Sequence, residues 1–281
     1  MKMIPMAPVF CGLLLNLAGP AAAQERTLEF HPLGLADISP QSALSLDANL
    51  GFGENFLAFV PNLRVGYAFS QNFSAGFDWG ASIVDPDRGD TASFVSGFLL
   101  NFKGRHCQQG AFSICIGVDA DIGINPYNVE DLDAEELAAT VVGTAIPMYR
   151  WNLYMPESLV IDPVIALSAS SDTFFGQVAL GPSLLFPLAH TEGDTGRDVE
   201  AGLLWGFDVG LRPMPMLDAI FGVMGFSSLT FRDNDTLVAL QLCARLNLRF
   251  TRPYFRLVIP IDDNYTDLLN VIMTLGIDIT Y

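Results

Sequence analysis

Few residues in this 281-residue chain have the type and spacing to do chemistry. Cys107 and Cys115 flank a short hinge, and in an oxidising compartment the expectation is a disulfide that staples it. Cys243 is left over and reads as a buried free thiol; the spacing of the three does not suit a metal site. Asp131, Asp133, Glu135 and Glu136 crowd carboxylates into one stretch, as a hard cation would need. The stretch lacks the turn glycine and the spaced bidentate glutamate of an EF-hand, so it reads as a solvated acidic loop, and Asp233-Asn234-Asp235 reads as a hairpin turn. The three histidines, His31, His106 and His190, are followed two positions on by Leu33, Gln108 and Glu192, so none starts a His-x-Ser pair. Nothing in the sequence sets a nucleophile beside a base, and no catalytic residue, metal or cofactor is expected.

The remaining charges recur on one side of an alternating pattern, which turns attention to the elements that carry them. From Asp267 to Tyr281, the residues Leu269, Val271, Met273, Leu275, Ile277, Ile279 and Tyr281 are all apolar, and those between them are polar or small except Ile272. A period of two means a strand with one greasy and one wet face, long enough to cross a bilayer when tilted. The pattern recurs upstream, clearly over 198–212 and 235–250 and less cleanly over 137–188 and 217–231. Phe94, Phe98, Leu100 and Phe102 are read as facing one way. Hydrophobic residues make up 51% of the chain and mean hydropathy is +0.36, yet after residue 23 no apolar run is long enough for a membrane helix. Greasy residues are therefore spread in alternation, as in a closed barrel in lipid.

At the N-terminus, Lys2, the apolar run from Val9 to Leu17 and Ala21-Ala22-Ala23 fit a signal peptide over 1–23, cleaved before Gln24 and taking Cys11 with it. Loss of Lys2 moves the net charge from −17 to about −18. Such acidity argues against nucleic-acid binding. Residues 24–42 read as a periplasmic leader or plug, and 43–281 as the barrel.

The last strand resembles the closing strand of bacterial outer-membrane β-barrels, whose assembly machinery reads a terminal aromatic behind alternating apolar residues. The resemblance implies an assembly signal in Leu275, Ile277, Ile279 and Tyr281, with outer-membrane lipid and that machinery as partners. The fold expected is all-β: a transmembrane, antiparallel, up-and-down barrel. Thirteen segments can be marked out, but a bacterial barrel with both ends in the periplasm needs an even number. Twelve strands are expected, with one segment between 137 and 188 misread; fourteen is the alternative, if the leader adds one. Pro61, Pro147, Pro163, Pro182 and Pro260 fall inside segments and point to bulges or misplaced boundaries. Loop lengths look too uniform to orient the barrel. Outer-membrane phospholipases and lipid A deacylases carry His-x-Ser, and outer-membrane aspartyl-type proteases carry Asp-x-His; both patterns are missing here.

The polar register carries Asp47, Asp78, Asp119, Asp121 and Asp162 early in the chain, with Arg64, Lys103 and Arg150. Later it carries Glu200, Asp208, Arg212, Arg245, Arg249 and Arg256, with Asp278 in the last strand. Neighbouring strands would gather these into an acidic wall facing an arginine ladder across a charged lumen, as in a porin-like channel selecting small solutes by charge. A second reading stays open: the charges pair, fill the barrel and leave a structural or surface-interaction protein. A lipid-modifying enzyme and a soluble periplasmic β protein are the weaker alternatives.

Overall fold

A computed structural model describes residues 36–87, 90–127, 132–146, 152–188, 199–230 and 236–281. The signal-peptide and cleavage expectations lie outside these residues, as do those for His31, His190, Asp131, Pro147, Arg150 and the Asp233 turn. The chain opens with β1 (Ala43–Phe52), β2 (Phe56–Ser70) and β3 (Phe73–Pro86). The short β4 (Ala92–Val95) and β5 (Phe98–Gln108) follow, then β6 (Ser113–Asn125). Helix α1 (Ala134–Ala145) leads to β7 (Ser158–Ser170), β8 (Phe174–Pro187), β9 (Glu200–Met214) and β10 (Leu217–Ser228). The chain ends with β11 (Thr236–Leu246), β12 (Thr251–Pro260), the single-turn α2 (Asp263–Thr266) and β13 (Val271–Thr280).

Each strand pairs antiparallel with its neighbours, and β1 pairs with β13 from Ala43↔Thr280 to Phe52↔Val271, which closes the sheet. Closure matters in hydrocarbon, where each unpaired backbone group costs several kcal/mol. Both β4 and β5 pair with β3 and form one interrupted stave, so β1 to β13 make a closed twelve-stranded barrel. The pairing shifts by one residue across Ser96-Gly97, which is a bulge. The bulge changes which face is inward. Phe94 points in and is buried, whereas Phe98, Leu100 and Phe102 point out, so the sequence reading that put all four on one face is corrected.

The segment misread as a thirteenth strand is 137–151, most of which is helix. Asp133 caps α1: its carboxylate accepts from the Glu136 N–H, and the Glu136 side chain accepts from the Asp133 N–H. This reciprocal capping box was legible as Asp-x-x-Glu before an Ala-rich run.

The loops are not uniform. Connections at one end are short: 71–72, 109–112, 171–173, 215–216 and 247–250. Those at the other end include 126–157, 188–199 and 261–270. The outward register is apolar and exposed, with Leu46, Trp79, Phe207 and Leu275 among its members. Tyr67, Phe69 and Phe73 form an aromatic cluster at the short-turn end, with ring centroids 5.1 and 5.7 Å apart. This is the interfacial aromatic pattern of outer-membrane barrels.

Candidate functional site: an occupied lumen

Inward side chains line a lumen, and two segments enter it. The first is 36–39, all four residues of which are buried. The Asp37 N–H donates to the Asp119 carboxylate at 3.0 Å, and the Gln177 amide donates to the Ala36 carbonyl at 2.6 Å. Lys103 places its ammonium 3.4 Å from Asp37 and 3.9 Å from Asp119, and Arg105 donates to the Ser39 hydroxyl at 3.3 Å. These partners sit on β5, β6 and β8, so the strand-free segment is held inside the wall by polar contacts.

The second insert comes from the longest loop. Helix α1 and residues 152–154 fold into the long-loop end of the lumen. Ala139, Val142, Ile146, Leu153 and Tyr154 pack there against Ala58, Val60, Val84, Phe94, Met224, Val258 and Ile272 from the wall. Burying such side chains contributes about 1.5–3 kcal/mol for each large one.

The strap Asn152-Leu153-Tyr154 then reaches three parts of the wall. Asn152 donates to Asp162 on β7 at 2.9 Å. The Leu153 carbonyl accepts from the Gly97 N–H, within the bulge, at 2.9 Å, and from Asn125 at 3.4 Å. The Tyr154 hydroxyl donates to Asn62 on β2 at 2.7 Å. Gly123 permits this approach, since a Cβ there would lie 2.7 Å from the Asn152 carbonyl oxygen.

Loop 261–270 latches the insert. The Tyr265 hydroxyl donates to the Ala145 carbonyl, at the end of α1, at 2.5 Å. Burial pushes this phenol above its usual range, so it stays a donor through any physiological pH. Tyr265→Phe removes one hydrogen bond, worth about 1 kcal/mol. If release of α1 opens the lumen, the open fraction should rise about fivefold. Single-channel recording checks this, and an unchanged open fraction would dismiss Tyr265 as a latch.

The inward charges expected from sequence are mostly inward, but they pair. Asp78 lies 3.5 Å from the Arg64 guanidinium, and Asp47 accepts from the Tyr254 hydroxyl. Asn101 donates to both Asp119 and Asp121, and Asp162 accepts from the Ser183 hydroxyl. Asp208 accepts from Gln241 at 2.5 Å, and Glu200 is half-buried at the long-loop end of β9. Arg256 donates to the Thr274 hydroxyl, which donates onward to Asn49 at 2.8 Å.

Two expectations need correction. Arg249 lies in the 247–250 turn, exposed, with its guanidinium 4.9 Å from the Phe250 ring centroid; it leaves the ladder because β11 ends at Leu246. Nor do Arg212 and Arg245 present an unbalanced basic wall. Both converge on Asp218 of β10, Arg212 at 2.8 Å and Arg245 at 3.1 Å. Asp218 was missed because β10 alternates poorly in sequence, its inward side also carrying Ile220, Met224 and Phe226. Leu275, Ile277 and Ile279 of β13 occupy the outward register, and Tyr281 is exposed after it. Cys107 and Cys115 form the expected disulfide, at the β5–β6 turn, and Cys243 is a buried free thiol.

These features define a class: the chain is a twelve-stranded antiparallel barrel of the bacterial outer-membrane type. No protein-family model and no curated protein matches its sequence. Among solved structures it is similar to the NanC porin, with a TM-score of 0.56 at 8% identity, covering 85% of this chain and 100% of that one. It is also similar to the KdgM porin, with a TM-score of 0.50 at 8% identity, covering 84% of this chain and 99% of that one. At that identity the likeness is one of fold.

Proposed function

We propose that the protein is a porin-like channel for small solutes in the bacterial outer membrane, closed at rest by its two inserts. The observation that carries this reading is the manner of closure. Outside the patches that meet the inserts the wall's inward register is mostly polar, and the lumen is filled by a loop and a leader segment, which can move without breaking the ladder. The longer loops would face outward from the cell. Leu275, Ile277, Ile279 and Tyr281 serve as the signal read by the assembly machinery during insertion.

A second reading, a permanently plugged structural barrel, is favoured by the thorough pairing of the inward charges. Recording from the refolded protein in a planar bilayer under a salt gradient separates the two. Rare, discrete openings with a defined reversal potential are expected of the gated channel. Insertion that stays silent at every voltage supports the plugged barrel.

The lipid-facing assignment has its own check. Leu275 is 60% exposed on the outward face near the middle of β13. Leu275→Arg there should lower folding stability in lipid by about 2–4 kcal/mol. Urea unfolding in vesicles measures this; an unchanged midpoint would mean that Leu275 does not face hydrocarbon.

A further inference from the structure

Segment 36–39 is held in the lumen as a ligand is held. It belongs to no strand, and the ladder closes without it. Three inward rungs of the β5–β6 pair face it: Lys103↔Asp119, Arg105↔Gly117 and Cys107↔Cys115. Gln177 of β8 reaches it from another part of the wall.

Two of the contacts address the backbone. Asp119 accepts from the Asp37 N–H, and Gln177 donates to the Ala36 carbonyl. Neither depends on the side chain presented, so both would serve any extended peptide. Two further contacts read side chains. The Asp37 carboxylate meets the Lys103 ammonium at 3.4 Å. Ile38 stands over Gly117, where an added Cβ would lie 2.9 Å from the Ile38 Cβ. It shares a buried apolar cluster with Cys115, Val164, Ala166, Ala179 and Leu204. An anionic subsite thus lies beside an aliphatic one.

Lys103 gives the site its charge preference. It is 6% exposed, and of the two carboxylates near its ammonium the closer belongs to the leader. The other, on Asp119, lies 3.9 Å away and also accepts from Asn101. A buried ammonium that loses its closer counterion is costly, so a vacated site favours another carboxylate. Nor does the leader use the site fully. Gln177 is buried and its Oε1 has no hydrogen-bond partner, which leaves room for a better occupant.

We propose that Lys103, Asp119, Gln177 and the Gly117 hollow form a recognition site for a peptide bearing a carboxylate side chain next to a branched aliphatic one, and that the leader occupies it as a tethered stand-in. As the solute class of the channel, this rests on the reading above; as a binding site, it does not.

The test is isothermal titration of the refolded barrel in detergent with acetyl-Ala-Asp-Ile-Ser-amide, the sequence of 36–39. Two barrels vacate the site. One is the full-length chain with Asp37→Lys, which sets a second ammonium against Lys103. The other begins at Gln41, which is kept because it accepts from Arg252. Heat-modifiable migration on gels shows that each is folded. One peptide per barrel is expected, bound about tenfold or more tighter than by the parent, where the tethered leader competes. Using acetyl-Ala-Asn-Ile-Ser-amide, or adding Lys103→Gln to the barrel, should each weaken binding about tenfold or more. No binding to the vacated barrels overturns the proposal, and so does binding that tolerates both losses of charge. In bilayers, the peptide should reduce the current of a vacated barrel that conducts. A silent barrel that binds the peptide upholds the site and counts against the channel reading.

Discussion

Excising the strap should convert a mostly silent barrel into a steadily conducting one. Strands β6 and β7 pair along their whole length, up to Asn125↔Ser158, so a short hairpin linker can replace 128–155 without disturbing the wall. What goes with the loop is the apolar packing of Ala139, Val142, Ile146, Leu153 and Tyr154, together with the contacts to Gly97, Asn62 and Asp162. Val60, Val84, Met224 and Val258 would then face a wider, wetter lumen. The variant should therefore be less stable by several kcal/mol, since it loses large buried side chains worth about 1.5–3 kcal/mol each. Its time-averaged conductance should exceed that of the parent by about tenfold or more, because the opposing barrier is steric. The leader segment stays in this variant, so a partial increase would assign the remainder of the block to 36–39, and a second deletion of 36–41 should remove it. Conductance that stays at the parent level after both deletions, in a barrel that still inserts, would end the channel reading in favour of a plugged structural barrel.

How legible this was in sequence depended on what each inward side chain meets. Where inward residues meet one another's polar groups, alternation is clean. The β9 stretch with Trp205, Phe207 and Leu211 outward, and β13 with Leu275 and Ile277 outward, were readable for that reason. Where inward residues pack on an insert, they must be apolar as well, and the two-faced signal fades. Phe94, Val164, Met224 and Val258 are such positions. The same cause hid Asp218, one polar residue at the end of an inward row that is otherwise apolar or Gly up to Phe226.

Helix α1 was mistaken for strand because its β-branched, Ala-rich sequence lies half inside a core, leaving Leu137 and Val141 exposed while Ala139 and Val142 are buried. Only the capping box at Asp133 and Glu136 marked it as helix. The prolines pointed in the right direction: Pro163 and Pro182 do interrupt a ladder, and the interruption is where the strap docks. Which charges would pair across the lumen was beyond a one-dimensional pattern, because Asp37, Asn152 and Tyr254 reach partners 82, 10 and 207 positions away.

The charge centre at the short-turn end should be the most sensitive point for stability. Asp218 is fully buried and receives two guanidinium groups, one of them, on Arg245, fully buried as well. A buried ion pair is weak evidence of net stabilisation, but removing one member leaves a charge with neither water nor counterion. Asp218→Ala takes away the carboxylate that both guanidinium groups share and should cost about 3–5 kcal/mol, read as a drop in the urea midpoint of the refolded barrel. Asp218→Asn, which keeps an acceptor but loses the charge, should cost less. Arg245→Glu would set two carboxylates face to face, since Asp218 and Arg245 are register partners. It should therefore impair folding before it could alter selectivity, which makes it a poor probe of the pore. The decisive comparison is the double variant Asp218→Ala with Arg245→Met. Replacing the more deeply buried arginine by an apolar chain of similar reach removes one of the two charges that lost this carboxylate, so the double variant should be more stable than Asp218→Ala alone. If the two losses simply add, the arginines are satisfied by other groups, and Asp218 is not the residue that organises this end of the lumen.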